Sequence, residues 1–172
     1  IHLPDVKEEA AVQSSSWSKL FRHKHLRNGV IAQFFYVGAQ VGVGSFFIRF
    51  LNQSAQIEEK QAAYYLSVAL LLFMIGRFVG TFLMRFIAPT RLLAIYALCN
   101  IVLLAFAVVS KGLPSAGALM GVEFFMSIMF PTIFSLSIVN LGEDTKIGSS
   151  LVIMSIVGRG IITLIMGWGS DV

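Results

Sequence analysis

Five runs of about twenty apolar residues, separated only by short polar stretches, decide what this chain can fold into. Each run is long enough to cross a hydrocarbon core about 30 Å thick as a helix. In lipid a chain must satisfy its backbone polar groups internally, so apolar runs of this length read as helices rather than strands. The predicted spans are Val30 to Leu51, Ala62 to Leu83, Leu92 to Val109, Ser115 to Leu141 and Ile147 to Trp168. Only 13% of the 172 residues are charged and 56% are hydrophobic, where a soluble domain carries about 25% charge. The expectation is an all-α integral membrane protein.

Residues 1–28 read differently, as a connector. Ile1 to Ser18 is polar and mildly acidic. In WSKLFRHKHLRNG, Lys19, Arg22, Lys24 and Arg27 alternate with Trp17, Leu20, Phe21 and Leu26. A basic amphipathic run abutting a span suits an anionic cytoplasmic leaflet and argues against nucleic acid as the partner. His23 and His25 have no companions at metal-ligand spacing. Placing the connector inside puts Lys7, Lys19, Arg22, Lys24, Arg27, Arg77, Arg85, Arg91 and Lys146 on the cytoplasmic side. Arg49, Lys60 and Lys111 fall opposite, which is the asymmetry of the positive-inside rule. The single cysteine, Cys99, permits no internal disulfide. A first residue other than Met and a last residue just after a span read as a piece of a longer protein.

Catalytic signatures are missing: no HExxH, GxSxG or phosphate-binding glycine loop occurs. No metal or cofactor is implied. GRFVG (Gly76 to Gly80) and VGRGI (Val157 to Ile161) are small-residue patterns of the kind that let membrane helices approach closely.

Polar groups inside the spans carry more information, because each is costly in lipid. Gln33, Tyr36 and Gln40 recur at helical spacing on one face of the first span, with Gly44 one turn on. Two amides and a phenol along a stripe suit the hydroxyls and apolar face of a neutral sugar; interhelical hydrogen bonding is the alternative. In the fourth span Glu123, Ser127, Phe130 and Phe134 share a face beside Pro131, whose missing N–H predicts a bend there. Glu123, deep in that span, is a candidate proton carrier, and Arg159 is the other deep charge. The fourth and fifth spans form an antiparallel hairpin. Counting from the turn sets Glu123 about five residues, roughly 7 Å, further out than Arg159, and their side chains lean apart, which argues against a pair. Arg77 reads as a structural anchor whose head snorkels toward the cytoplasm, and Arg85 and Arg91 as anchors of the short inner loop. Asn100 reads as a helix-to-helix hydrogen bond.

Three stretches, AQFFYVGAQVGVGSFFIRF, IGRFVGTFLMRFIAP and MSIMFPTIFSLSIVNLGEDTKIGSS, resemble the C-terminal half of the fucose/galactose/glucose:proton symporter family of the major facilitator superfamily. The resemblance runs from about Arg27 to Asp171. It implies twelve helices in two six-helix halves, of which these five would be the seventh to eleventh, with residues 1–28 as the linker between halves. It also implies a missing N-terminal half, a bacterial inner membrane and alternating-access uptake of a monosaccharide with a proton, L-fucose first, galactose or glucose otherwise. In this superfamily the first and fourth helices of each half line the cavity, so Gln33, Tyr36, Gln40, Phe130 and Phe134 are the expected sugar contacts. The proton-carrying carboxylates lie in the other half. Gly76, Arg77, Gly80, Arg85 and Pro131 are the expected structural positions; the inner-loop motif is degenerate, with Met84 where an acid is usual. Gly44, Glu123, Arg159 and Leu164 also depart from the family pattern. The rival readings are a non-transporting membrane sugar sensor, a half-length assembly partner and a non-functional truncated product.

Overall fold

The computed structural model describes residues 23–53, 56–142 and 145–170. The expected connector up to residue 22, including Trp17, Lys19 and Arg22, lies outside them, as do Glu143, Asp144 and Asp171. Among the described residues are five helices long and apolar enough to cross a membrane. The first span is α1 (Lys24–Gln53), the second α2 (Glu59–Leu83) and the third α3 (Pro89–Val109). The fourth is split into α4 (Leu113–Met126) and α5 (Met129–Ile138). The fifth comprises α6 (Thr145–Met154), a 3₁₀ turn at Ser155–Val157 and α7 (Gly158–Ser170).

α1 begins at Lys24 rather than at the expected Val30, so Lys24, His25 and Arg27 are its first turn. Its 30 residues correspond to about 45 Å, more than the hydrocarbon core requires, which leaves room for a charged end in the headgroup region. Pro89 sits in the first turn of α3 and Pro114 in that of α4, where an absent N–H removes no intrahelical bond. The turn after α5 uses two left-handed residues, Asn140 (φ 61°) and Gly142 (φ 55°), residue types that tolerate this conformation.

The surface is inverted relative to a water-soluble bundle. Phe78, Phe86, Val108, Leu164 and Trp168 are more than 70% exposed, as helices bathed in acyl chains require. The fourth span is the exception: half of its apolar window is buried, against 17% to 33% for the others. It is the central post. α4 packs on α2 and α3, and α5 packs on α1; α1 also packs along α7. Where α1 ends, Phe47 and Leu51 meet Ala62 and Ala69 of α2, Ala107 of α3 and Ala116 of α4. At the opposite end Leu26, Leu141, Leu151 and Val152 close the bundle.

Small residues set the helix spacing, although not uniformly. Gly76 and Gly80 are both buried: a Cβ on Gly76 would lie 2.4 Å from the Phe124 carbonyl oxygen, and one on Gly80 2.9 Å from Ile128. In VGRGI only Gly158 makes such an approach, against Phe34, whereas Gly160 faces open space. Asn100 makes the expected cross-helix bond, its Nδ2 donating to Met129 Sδ at 3.3 Å.

Candidate functional site

The chemistry-bearing residues gather around the interruption in the fourth span. A bend was expected at Pro131, but α4 stops at Met126, and Ser127 and Ile128 separate it from α5. The offset has a direct cause: a proline ring clashes with the carbonyl four residues earlier, here Ser127, and supplies no N–H to it. Pro131 therefore sits inside α5 while the helix opens one turn upstream.

The opening strands carbonyls, two of which are answered by side chains from other helices, while the Phe124 carbonyl also keeps the Ser127 backbone N–H at 3.4 Å. Ser127 Oγ donates to the Phe124 carbonyl at 2.7 Å. The Tyr36 hydroxyl, from α1, donates to the Met126 carbonyl at 2.6 Å, with the Phe130 amide beside it. Arg77 Nε, from α2, donates to the Ser127 carbonyl at 3.3 Å, and its guanidinium lies over the Phe73 ring, 5.5 Å from the centroid. Arg77 is exposed, and its Nε bond ties the second span to the fourth. Gly76 makes this possible, since any side chain there would hold α2 away from Phe124.

The expected sugar stripe divides. Gln33 is fully buried (0% exposed) and Tyr36 nearly so (7%); among the described residues neither end of the Gln33 amide has a hydrogen-bond partner. Both are enclosed by the helices in this conformation. Gln40 and Gly44 are half-buried, and a side chain on Gly44 would meet nothing within 4 Å. Phe130 and Phe134 are half-buried on α5. The structure does not bring all five expected contacts together. Phe130 and Pro131 line a cavity of about 750 Å³ with Arg77, Thr81 and Ser135; Gln40 and Phe134 lie outside it. A second cavity of about 490 Å³, walled by Phe35, Phe46, Phe50, Val108, Ile162 and Met166 among others, is apolar.

Glu123 is 4% exposed and close enough to Tyr36 to act on it electrostatically, as Arg77 does from its own side. Arg159 is exposed on α7 and forms no ion pair with Glu123. Arg85 is exposed in the turn after α2. Most hydroxyls in the spans are satisfied locally: those of Ser67, Thr81, Thr132 and Ser137 each donate to the carbonyl four residues earlier, an ordinary helix habit. The Ser127 carbonyl and Ser135 were not singled out from the sequence as functional positions. Counting four residues back from Pro131 would have found the former; nothing in the spacing marks the latter.

Comparison with known proteins follows the same lines. No protein-family model matches the chain. It is 45% identical over 159 residues to the L-fucose-proton symporter of Escherichia coli, covering 92% of this chain and 36% of that protein. It is 42% identical over 171 residues to a putative glucose/galactose transporter of Helicobacter pylori, covering 99% of this chain and 42% of that one. Among solved structures it superposes on the Escherichia coli fucose:proton symporter with a TM-score of 0.88 (45% identity, 92% of this chain, 39% of that one). A major facilitator superfamily transporter, FucP, in the outward conformation gives 0.89 (43% identity, 99% of this chain, 41% of that one). The chain thus spans about two fifths of the length of the relatives it matches. With five apolar helices, a broken fourth span and this likeness in sequence and shape, the chain is a multi-pass membrane protein with the fold of the major facilitator superfamily, and it is similar to part of the C-terminal half of the fucose and glucose/galactose transporters.

Proposed function

We propose that this segment is the C-terminal part of a proton-coupled monosaccharide transporter of a bacterial inner membrane, with L-fucose as its sugar and galactose or glucose as the nearest alternatives. The observation that carries this reading is the 45% identity, across 92% of the chain, to a protein named as an L-fucose-proton symporter. In the mechanism the two halves rock about a sugar held near the midplane, and the proton gradient drives uptake. The residues before α1 serve as the cytoplasmic linker between the halves.

Phe130, Phe134 and Gln40 are the sugar contacts proposed for this half. The rings cover the apolar face of the pyranose and the amide bonds its hydroxyls. Gln33 and Tyr36, buried by the neighbouring helices, take no direct part. The test is uptake into proteoliposomes of the complete natural protein under an inward proton gradient, with labelled L-fucose, galactose and glucose offered in turn. Accumulation of one sugar, abolished by a protonophore, is the expected result; no accumulation of any of them overturns the reading. In the same assay Phe130→Ala is expected to raise the half-saturation about fivefold, since an aromatic contact contributes about 1 kcal/mol. An unchanged value removes Phe130 from the site.

Glu123 is assigned a packing position rather than the proton step, because the family resemblance places the proton-carrying carboxylates in the other half. Glu123→Gln is expected to keep proton-driven accumulation within about twofold. Collapse of accumulation with sugar counterflow intact would move the proton step to this carboxyl.

A further inference from the structure

We propose that Tyr36 and Arg77 are positioning residues: together they hold the break in the fourth span at the angle that presents Phe130 to the sugar. The transport half of this proposal rests on the function proposed above; the structural half does not.

A helix interrupted at membrane depth leaves carbonyls for which lipid offers no donor, at several kcal/mol each. Of the three carbonyls answered here, Phe124 is served from within its own segment by Ser127. The other two are served from different helices. Tyr36 reaches Met126 from the first span and Arg77 reaches Ser127 from the second. The joint between α4 and α5 is therefore held by two bonds from two neighbours, and α5 follows their placement.

Each donor has contacts of its own. Tyr36 is packed among Val37, Val122, Met126 and Ile133. Arg77 follows Gly76, whose lack of a side chain presses α2 onto the end of α4, and its guanidinium rests on Phe73. Downstream of the joint, α5 carries Phe130 and Pro131 into the 750 Å³ cavity. Tyr36 lines neither cavity, so it influences a ligand there through the helix and not by contact. The proposal also accounts for a basic residue inside an apolar span: it supplies the N–H that Pro131 lacks.

That last point gives the test. Pro131→Ala restores an amide donor to the Ser127 carbonyl, so the need for Arg77 should disappear with the proline. In the complete protein, Arg77→Met is expected to lower the melting temperature in detergent and to raise the half-saturation for sugar counterflow about tenfold, with the maximum rate little changed. In the Pro131→Ala background the same substitution is expected to cost at most about twofold and to leave the melting temperature unmoved. A defect that persists undiminished beside Pro131→Ala means Arg77 works through its charge or by touching sugar, and overturns the proposal. Rescue of melting temperature without rescue of half-saturation also overturns it, leaving a cap with no bearing on the site.

Tyr36→Phe, which keeps the ring and removes only the hydroxyl, provides a second route if Pro131→Ala does not fold. It is expected to raise the half-saturation several-fold and to speed hydrogen exchange at the Phe130 amide; no change in either overturns the role of Tyr36. Melting and exchange need no sugar. Thus a protein that moves no sugar still reports on the clamp, and an additive cycle in a protein that does move sugar sinks the clamp alone.

Discussion

Gly76→Ala is expected to destabilise the protein by about 1–3 kcal/mol, the usual cost of forcing extra volume into a packed site, although it adds one methyl group. The new Cβ would stand 2.4 Å from the Phe124 carbonyl oxygen and 2.6 Å from Ser127 Oγ. Both belong to the joint of the fourth span and neither moves without disturbing it. Proximity by number alone would rank Gly38 higher, since a Cβ there falls 2.0 Å from Ile162. Ile162 Cγ1 and Cβ follow at 2.8 and 2.9 Å, and rotation of a β-branched side chain does not clear them, so Gly38→Ala is expected to lose a comparable amount. Gly160 meets nothing within 4 Å, so Gly160→Ala should gain up to about 1 kcal/mol of helix propensity. Thermal unfolding of the three alanine variants in one detergent checks the order: Gly76 and Gly38 well below the parent, Gly160 at or above it. Equal melting for the Gly76 and Gly160 variants would mean that α2 and α4 do not approach as described.

Phe47→Ala should cost about 3 kcal/mol, the lower end of what burying and then deleting a phenylalanine entails. In lipid, apolar side chains gain little by leaving the solvent, because acyl chains are as apolar as the core. What remains is packing, and Phe47 has more to lose than most. It is 1% exposed, in the cluster where α1 to α4 meet. Five alanines from three other helices, Ala62, Ala69, Ala107, Ala116 and Ala118, belong to that cluster. Small residues there leave room for one large ring, and none has a side chain long enough to refill the space. Phe78, 72% exposed on α2, is the control: Phe78→Ala exchanges ring–lipid contacts for other lipid contacts and should unfold within about 0.5 kcal/mol of the parent. Indistinguishable losses for the two variants would contradict the packing described for the α1 end.

One structural expectation was displaced and another was incomplete, for the same kind of reason. Pro131 correctly marked an interrupted helix, but its steric effect falls on the residue four positions back, so the break is at Ser127–Ile128. Arg77 was placed near a cytoplasmic end by counting along its span, and that count holds no information about a carbonyl 50 residues away that lacks a donor. The stripe of Gln33, Tyr36 and Gln40 shows the limit most plainly. Their spacing puts them on one face of a helix. It does not say whether protein, lipid or a cavity covers that face, and the structure encloses the first two while leaving Gln40 half-buried.

Five spans, the membrane setting, the family likeness and the presence of a bend were all legible in the sequence. Each follows from local quantities: the length of apolar runs, the chemistry of proline and the order of recognisable motifs. The 3₁₀ turn at Ser155–Val157 was not, and it immediately precedes Gly158, pressed against Phe34 of the first span. The offset of Glu123 from Arg159 was legible by counting from the turn; that Glu123 is buried and Arg159 exposed was not. Which polar groups satisfy the break and which aromatic rings reach a cavity was decided only when the helices packed. Those outcomes depend on distances between residues 50 to 90 positions apart, and periodicity along one helix carries no term for a neighbour on another.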